Sequence, residues 1–454
     1  MIRLLAALVF LIGLAACTED GPTVSEETSP EGIKYTLMQI PDHEGVSIQV
    51  AWASDWGYRE NANAAAPVIG TQLMLAGGAD GHAPGEVGER FVDLGSAGNF
   101  YVSANDHVVG ELTFERGTLD ETVAIASAHL RTPTLDQTWF ERIREGIDQD
   151  MAQARAQPAH AGFDVGRWSV FGAQPLRRAL SLDDPAVFQS LTRDEVAGWH
   201  QETITRNPAA IVVAGGIDAK TAGTAIDALL ADLPDIEPPV APDVEPDYSP
   251  KRILLHSPDA KVTTLSFIAP LPSTRLGNEL EDLIAVHALG GDDQSALFNA
   301  VRTELRASYG FGAGIANYTR EHRILFIAGE VETAKLGEAE TTVRDAYSSF
   351  RSSPINGDLG ARKAPLEASF STLPDYVIDL ARSELQSSLD GFAPGRSLGL
   401  VDELKAVSDQ SISDRLQNDF PTAEDFIVIA VSPDADALPG ACVITKTEQA
   451  TACK

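Results

Sequence analysis

The chain has 454 residues, too many for one ordinary core, so two or more domains are expected. An apolar content of 44% with 22% charged residues excludes a disordered or polytopic chain. The formal net charge of -32 argues against nucleic acid as a partner, because phosphate would be repelled; a solvated acidic surface accounts for it, with cationic peptides as a second reading.

The N-terminus reads as an address. Arg3 is a minimal basic region, and Leu4 to Gly13 form an apolar stretch too short to span a bilayer. Leu14-Ala15-Ala16-Cys17 then has the pattern of a bacterial lipobox, which makes Cys17 the expected lipidated first residue of an anchored mature chain. Residues 1–17 are therefore assigned to a signal peptide, and the polar, acidic residues 18–32 to a flexible tether.

The first domain, residues 33–232, opens with a hairpin pattern. Ile33 to Ile40 and Val46 to Ala53 alternate apolar and polar around the turn Pro41-Asp42-His43-Glu44-Gly45. Gly117 to Arg155 is helical, interrupted at Pro133. Leu191 to Asn207 is a further helix, capped by Thr192 ahead of Asp194 and Glu195, and it leads into a buried strand from Ala209 to Val213. Residues 233–250 carry six prolines among Asp and Glu, which excludes helix or central strand and predicts an interdomain linker.

In residues 251–440 the first pattern returns, with Ile253 to His256 and Val262 to Ala269 as a second hairpin. Placing Val262 on Val46, or Phe426 on Ala210, gives the same offset of 216 residues, so the chain is read as two copies of one unit. The tail, 441–454, holds Cys442 and Cys453; in an exported chain a structural disulfide between them is expected.

Motifs for independent chemistry are weak. Asp80, His82 and Glu86 lie close together in a Gly/Pro-rich loop, which is better read as solvated loop than as metal site. Gly310, Gly312 and Gly314 follow a helix where a phosphate loop would open one. No G-x-S-x-G elbow occurs, and the cysteines do not suit a thiol nucleophile.

The most informative stretch is Leu289 to Tyr309. After a Gly-Gly turn, Asp292 and Asp293 stand where a helix needs an N-cap acceptor, and Leu297, Val301 and Leu305 make one apolar stripe. Arg302 flanks that stripe beside Phe298, and Tyr309 lies where the period ends. The stretch resembles the pitrilysin/insulinase family of zinc metallopeptidases, the inverzincins, whose pattern is L-G-G-x-x-x-S-x-L-F-x-x-x-R-x-x-x-x-x-x-Y. Leu289, Gly290, Gly291, Ser295, Leu297, Phe298, Arg302 and Tyr309 match without a gap. The resemblance implies an α+β fold of two homologous halves, each a mostly antiparallel sheet with helices packed on one face, facing each other as a clam-shell. It also implies that Arg302 and Tyr309 donate hydrogen bonds to a substrate backbone, where fixed cationic and phenolic donors stabilise a developing oxyanion.

The same resemblance places a zinc helix after Gly57-Tyr58-Arg59-Glu60, with H-x-x-E-H supplying two ligands and a general base. Here Val68, Thr71 and Gln72 fall on the two His and the Glu, and Asp150 falls near the third ligand. The nine histidines are each at least 22 residues apart, so no pair sits one helical turn apart. A zinc peptidase needs three protein ligands and an open position, so this chain is expected to bind no metal. The implied function is that of the non-zinc subunit of a two-chain peptidase. It would supply Arg302 and Tyr309 in trans to peptide hydrolysis at the zinc of an H-x-x-E-H-bearing homologous partner, on the periplasmic side of a bacterial envelope. A non-catalytic peptide-binding or scaffold lipoprotein of the same fold is the alternative, and a peptidase active alone is the least favoured.

Overall fold

The computed structural model describes residues 21–182, 184–306, 310–355 and 359–454, so Cys17 and Tyr309 lie outside the described residues. Among the described residues, twelve strands form two six-stranded sheets. The first contains β1 (Thr23–Thr28), β2 (Lys34–Gln39), β3 (Gly45–Ala53), β4 (Ala97–Ser103), β5 (His107–Glu115) and β6 (Ala210–Gly215), in the order β1-β2-β6-β3-β5-β4. The second contains β7 (Arg252–His256), β8 (Thr263–Leu271), β9 (Phe311–Asn317), β10 (Arg323–Val331), β11 (Ile427–Ser432) and β12 (Cys442–Ile444), in the order β12-β7-β11-β8-β10-β9.

The duplication is written in the register. Thr36 of β2 faces Val212 of β6, and Arg252 of β7 faces Val428 of β11; each member of the second pair stands 216 residues after its counterpart. The hairpin anchor slips. Val46 pairs with Gly215 while Val431 pairs with Thr264, so β3 maps onto β8 at an offset of 218, and Val262 is not the counterpart of Val46.

The strands expected as hairpins exist but do not pair with each other. In each half the last long strand enters between them, parallel to one and antiparallel to the other. The reason lies in the inserted strands themselves. Ala-Ile-Val-Val-Ala-Gly in β6 and Ile-Val-Ile-Ala-Val-Ser in β11 have no polar alternation, so they need burial on both faces, which only a central position provides.

Two further boundaries are corrected. Thr23–Thr28 is no tether: it is an edge strand paired with β2 along its length, with Val24 packed beneath Gly395. Its β-branched Thr and Val residues favour a strand, and its acidic residues suit an exposed edge. The tail belongs to the second sheet, since β12 adds in parallel to β7, and the Cys442–Cys453 disulfide closes the segment that follows it.

Each sheet is covered on both faces. One face carries helices of its own half. Against Ile48, Val50, Trp52 and Val213 pack Ile69 and Leu73 of the helix Ala66–Ala76, together with Trp199 of the helix Arg193–Thr203, which starts in a Thr192/Glu195 capping box. The other face is covered by the opposite half. The helix Val377–Leu389 sets Val377, Leu380, Leu385 and Leu389 against Met38, Ala51 and Val212 of the first sheet. In return the helix Pro158–Phe171 sets Val165, Val170 and Phe171 against Ile253, Ile268 and Ile429 of the second. Gly166 permits that approach, because a Cβ there would lie 2.6 Å from Ile268 Cδ1. Among the described residues no helix is long and apolar enough to cross a membrane.

The exchanged helices predict one stability outcome. Leu380→Ala removes a fully buried side chain from the first sheet, although residue 380 belongs to the second half. It should cost about 2–5 kcal/mol in urea unfolding, and both halves should lose stability in one transition. Unfolding of the second half alone would contradict this.

Candidate functional site

The helix Glu279–Gly290 ends where β9 crosses it. A Cβ on Gly290 would lie 2.2 Å from the Ala313 backbone nitrogen, and one on Gly291 would lie 2.6 Å from the His287 ring, so both glycines are required by packing. The chain then turns. Asp292 accepts a hydrogen bond from the Gln294 amide (3.0 Å) and pairs with Arg362 (2.8 Å). The fully buried Ser295 donates its hydroxyl to the Asp292 carbonyl (2.7 Å) and accepts from the Phe298 amide (3.4 Å).

The expected regular helix with an Asp292/Asp293 cap is therefore corrected. The capping acceptor is Ser295, and Phe298–Glu304 is wound as a π-helix, with the Leu305 amide donating to the Ala300 carbonyl at 3.1 Å. Leu297 and Val301 are fully buried and hold the segment to the core, while Leu305 is half-buried. Lys335 donates to the carbonyls of Leu305 (3.3 Å) and Arg306 (3.1 Å), fixing its far end. Such widened turns are rare and occur frequently at functional sites.

Arg302 stands on the solvent side of this segment. It is exposed, and its guanidinium lies over the Phe298 ring at 5.0 Å from the centroid. This stacking contributes a cation–π attraction that helps hold the cation in place. On another flank, Gln294, Asn299, Glu304, Phe350 and Arg362 line a hollow of about 630 Å³. Sequence reasoning found Arg302 and Phe298 but missed Lys335 and Arg362, which reach the segment from far along the chain and leave no local signal.

The residues at the zinc-helix positions lie together on the helix Ala66–Ala76. Val68 is half-buried, Thr71 is buried and Gln72 is exposed. The Thr71 hydroxyl donates to the Val68 carbonyl (3.0 Å), so it is spent on its own helix. Asp150 is exposed on the helix Gln137–Arg155, which packs against the same element. A hydrocarbon side chain, a committed hydroxyl and an amide do not fit a zinc ligand set. Among the described residues no group of three or more His, Cys, Asp or Glu could hold a metal ion. Of the loop trio, Glu86 accepts from the Ala83 amide (3.2 Å), and the His82 ring lies 5.6 Å from that of His129.

His129 and His200 join this layer to its neighbours. The His129 Nδ1–H donates to the Met74 carbonyl (2.9 Å), and the His200 Nε2–H donates to the Leu130 carbonyl (2.8 Å). Burial pushes both imidazoles below their ordinary value, and for His129 the neighbouring His82 adds to the effect. Both are therefore neutral in the fold, while the unfolded chain takes up protons below about pH 6.5. Stability from these groups is complete above that pH and falls as the pH drops through and below it. A lower urea midpoint at pH 5 than at pH 7.5 is expected, with a smaller drop in His129→Gln and His200→Gln.

Comparison with known proteins places this geometry. Residues 190–358 match the family model described as the Peptidase M16 inactive domain. A solved Pseudomonas fluorescens structure, a peptidase M16 inactive domain, superposes with a TM-score of 0.78 at 16% identity, covering 90% of this chain and 98% of that one. A protease from Helicobacter pylori gives 0.72 at 11% identity, covering 91% and 100%. The periplasmic protease PqqL from Escherichia coli gives 0.67 at 14% identity, covering 94% of this chain and 50% of that one. No curated protein matches at a significant level.

Proposed function

We propose that this chain is an inactive-type member of the M16, or pitrilysin/insulinase, peptidase family and serves as the non-zinc subunit of a two-chain metallopeptidase. The observation that carries the reading is an asymmetry. Val68, Thr71 and Gln72 cannot serve a metal, yet Arg302 is held at the surface on a segment pinned by Leu297, Val301, Ser295 and Lys335. The partner is a homologous chain bearing H-x-x-E-H, whose zinc supplies Lewis-acid polarisation of the scissile carbonyl. This chain contributes donors. Arg302 and Tyr309 bind the backbone of a peptide substrate and stabilise the oxyanion as it develops. Lipidation at Cys17 anchors the subunit on the periplasmic side of the envelope.

A second reading has its own support. Gly290, Gly291 and Ser295 are explained by packing and capping alone, so part of the matched pattern needs no catalysis. A non-catalytic peptide-binding or scaffold lipoprotein would keep them as well.

The two readings part on one assay. With the partner present, Arg302→Ala and Tyr309→Phe should each lower kcat/KM for a peptide, on the order of a hundredfold for one lost transition-state donor. The surface control Lys405→Ala should leave it unchanged, and thermal unfolding should be unaltered in all three. Unaltered turnover in the Arg302 and Tyr309 variants would establish the scaffold reading.

A further inference from the structure

We infer that the end of the first sheet at Thr23 lies against the headgroup surface of the bilayer, held there by the shortness of the chain leading back to Cys17. The inference rests on the lipidation proposed above and adds an orientation to it. Strand β1 begins at Thr23, where Thr23 pairs with Gln39. Six peptide steps from Cys17 to Thr23 reach about 20 Å when fully extended, whereas a leash running to residue 32 would reach about 50 Å. A folded chain of this length has a radius of gyration of about 22 Å. The leash is thus shorter than the molecule is wide, so it fixes which end meets the membrane.

That end is built from few parts. Gln39 leads into the turn at 40–44, in which Pro41, Asp42 and Glu44 are exposed. The turn is stiff: the Gly45 amide donates to His43 Nδ1 (3.0 Å) and the Arg116 amide donates to the Glu44 carbonyl (3.1 Å). Beside it Val377 packs with Met38 and Ile40, which brings the preceding Tyr376 to the same end with 61% of its surface exposed. An exposed Tyr has an apolar body and a polar tip, which suits the headgroup layer. Among the described residues, Asp42, Glu44, Glu115 and Asp375 stand near this end with Arg116, which pairs with Glu44, so these side chains are net acidic. Attraction to anionic lipid therefore does not hold this end down. The leash does, and zwitterionic lipid is the fitting surface.

The test uses the full lipidated chain in zwitterionic vesicles containing a headgroup-quencher lipid. A fluorophore is placed at Glu44→Cys, or at Glu237→Cys near the opposite end of the sheet, where Asn207 bonds Asp235 and Ile236 ahead of β6. Quenching at 44 should exceed that at 237 several-fold, and a long Gly/Ser insert after Thr18 should equalise the two. Equal quenching without the insert overturns the orientation, and a difference that survives the insert overturns the leash as its cause. An unacylated Cys17 in the mass of the mature N-terminal peptide overturns the anchoring itself, a separate failure read before any quenching.

Discussion

The structure depends on the burial of both faces of both sheets. Strands β6 and β11 have apolar side chains pointing each way, and a half that kept only its own helices would leave one apolar face open to water. The exchange of the Pro158–Phe171 and Val377–Leu389 helices closes both faces. Four large apolar side chains on the second helix, at about 1.5–3 kcal/mol each, are comparable with the whole 5–15 kcal/mol stability of an ordinary domain. The halves are therefore one cooperative body. Around the exchanged helices the seam is polar and specific. Arg320 meets Asp106 of the first half and Asp390 of the second, the Asn105 amide donates to the Tyr318 carbonyl, and Arg382 pairs with Glu111. The Arg320 pairs are largely buried, and such pairs add little net stability, but a wrongly docked half would leave them unpaired, so they select one alignment.

This body was partly legible in the sequence. Strand positions, the Thr192 cap, the Pro-rich linker and the 216-residue repeat all follow from local pattern, because side-chain period and turn chemistry are local properties. Strand neighbours are not. Nothing in residues 33–53 announces that β6 will enter between β2 and β3; the signal sits far downstream, in the missing polar alternation of β6 itself. The β1 strand was hidden for a different reason. Its two glutamates and two threonines read as solvated chain, and only pairing with β2 supplies the hydrogen bonds that order it.

The Arg302 segment shows both limits together. The apolar stripe Leu297, Val301 was legible, and both residues are buried as the spacing demands. The π winding was not, because it arises between two pins of which one is remote. Ser295 and the Gly290–β9 contact set the start, Lys335 fixes the end, and the extra residue is taken up between them. Arg306 leaves the segment at a φ of +53°, a left-handed position that ends the helical run.

The helix that carries Val68, Thr71 and Gln72 is held mainly by its core face. Ile69, Gly70, Leu73 and Met74 of the helix Ala66–Ala76 are buried, and a Cβ on Gly70 would lie 2.2 Å from the Trp199 ring, so this face is fixed by the core. Of the three aligned positions only Gln72 is exposed; Val68 is half-buried against the core and Thr71 is buried. The Arg302 segment differs. Its anchors are core and cap residues, so folding alone accounts for the scaffold, and Arg302 stands exposed on it with its guanidinium over the Phe298 ring.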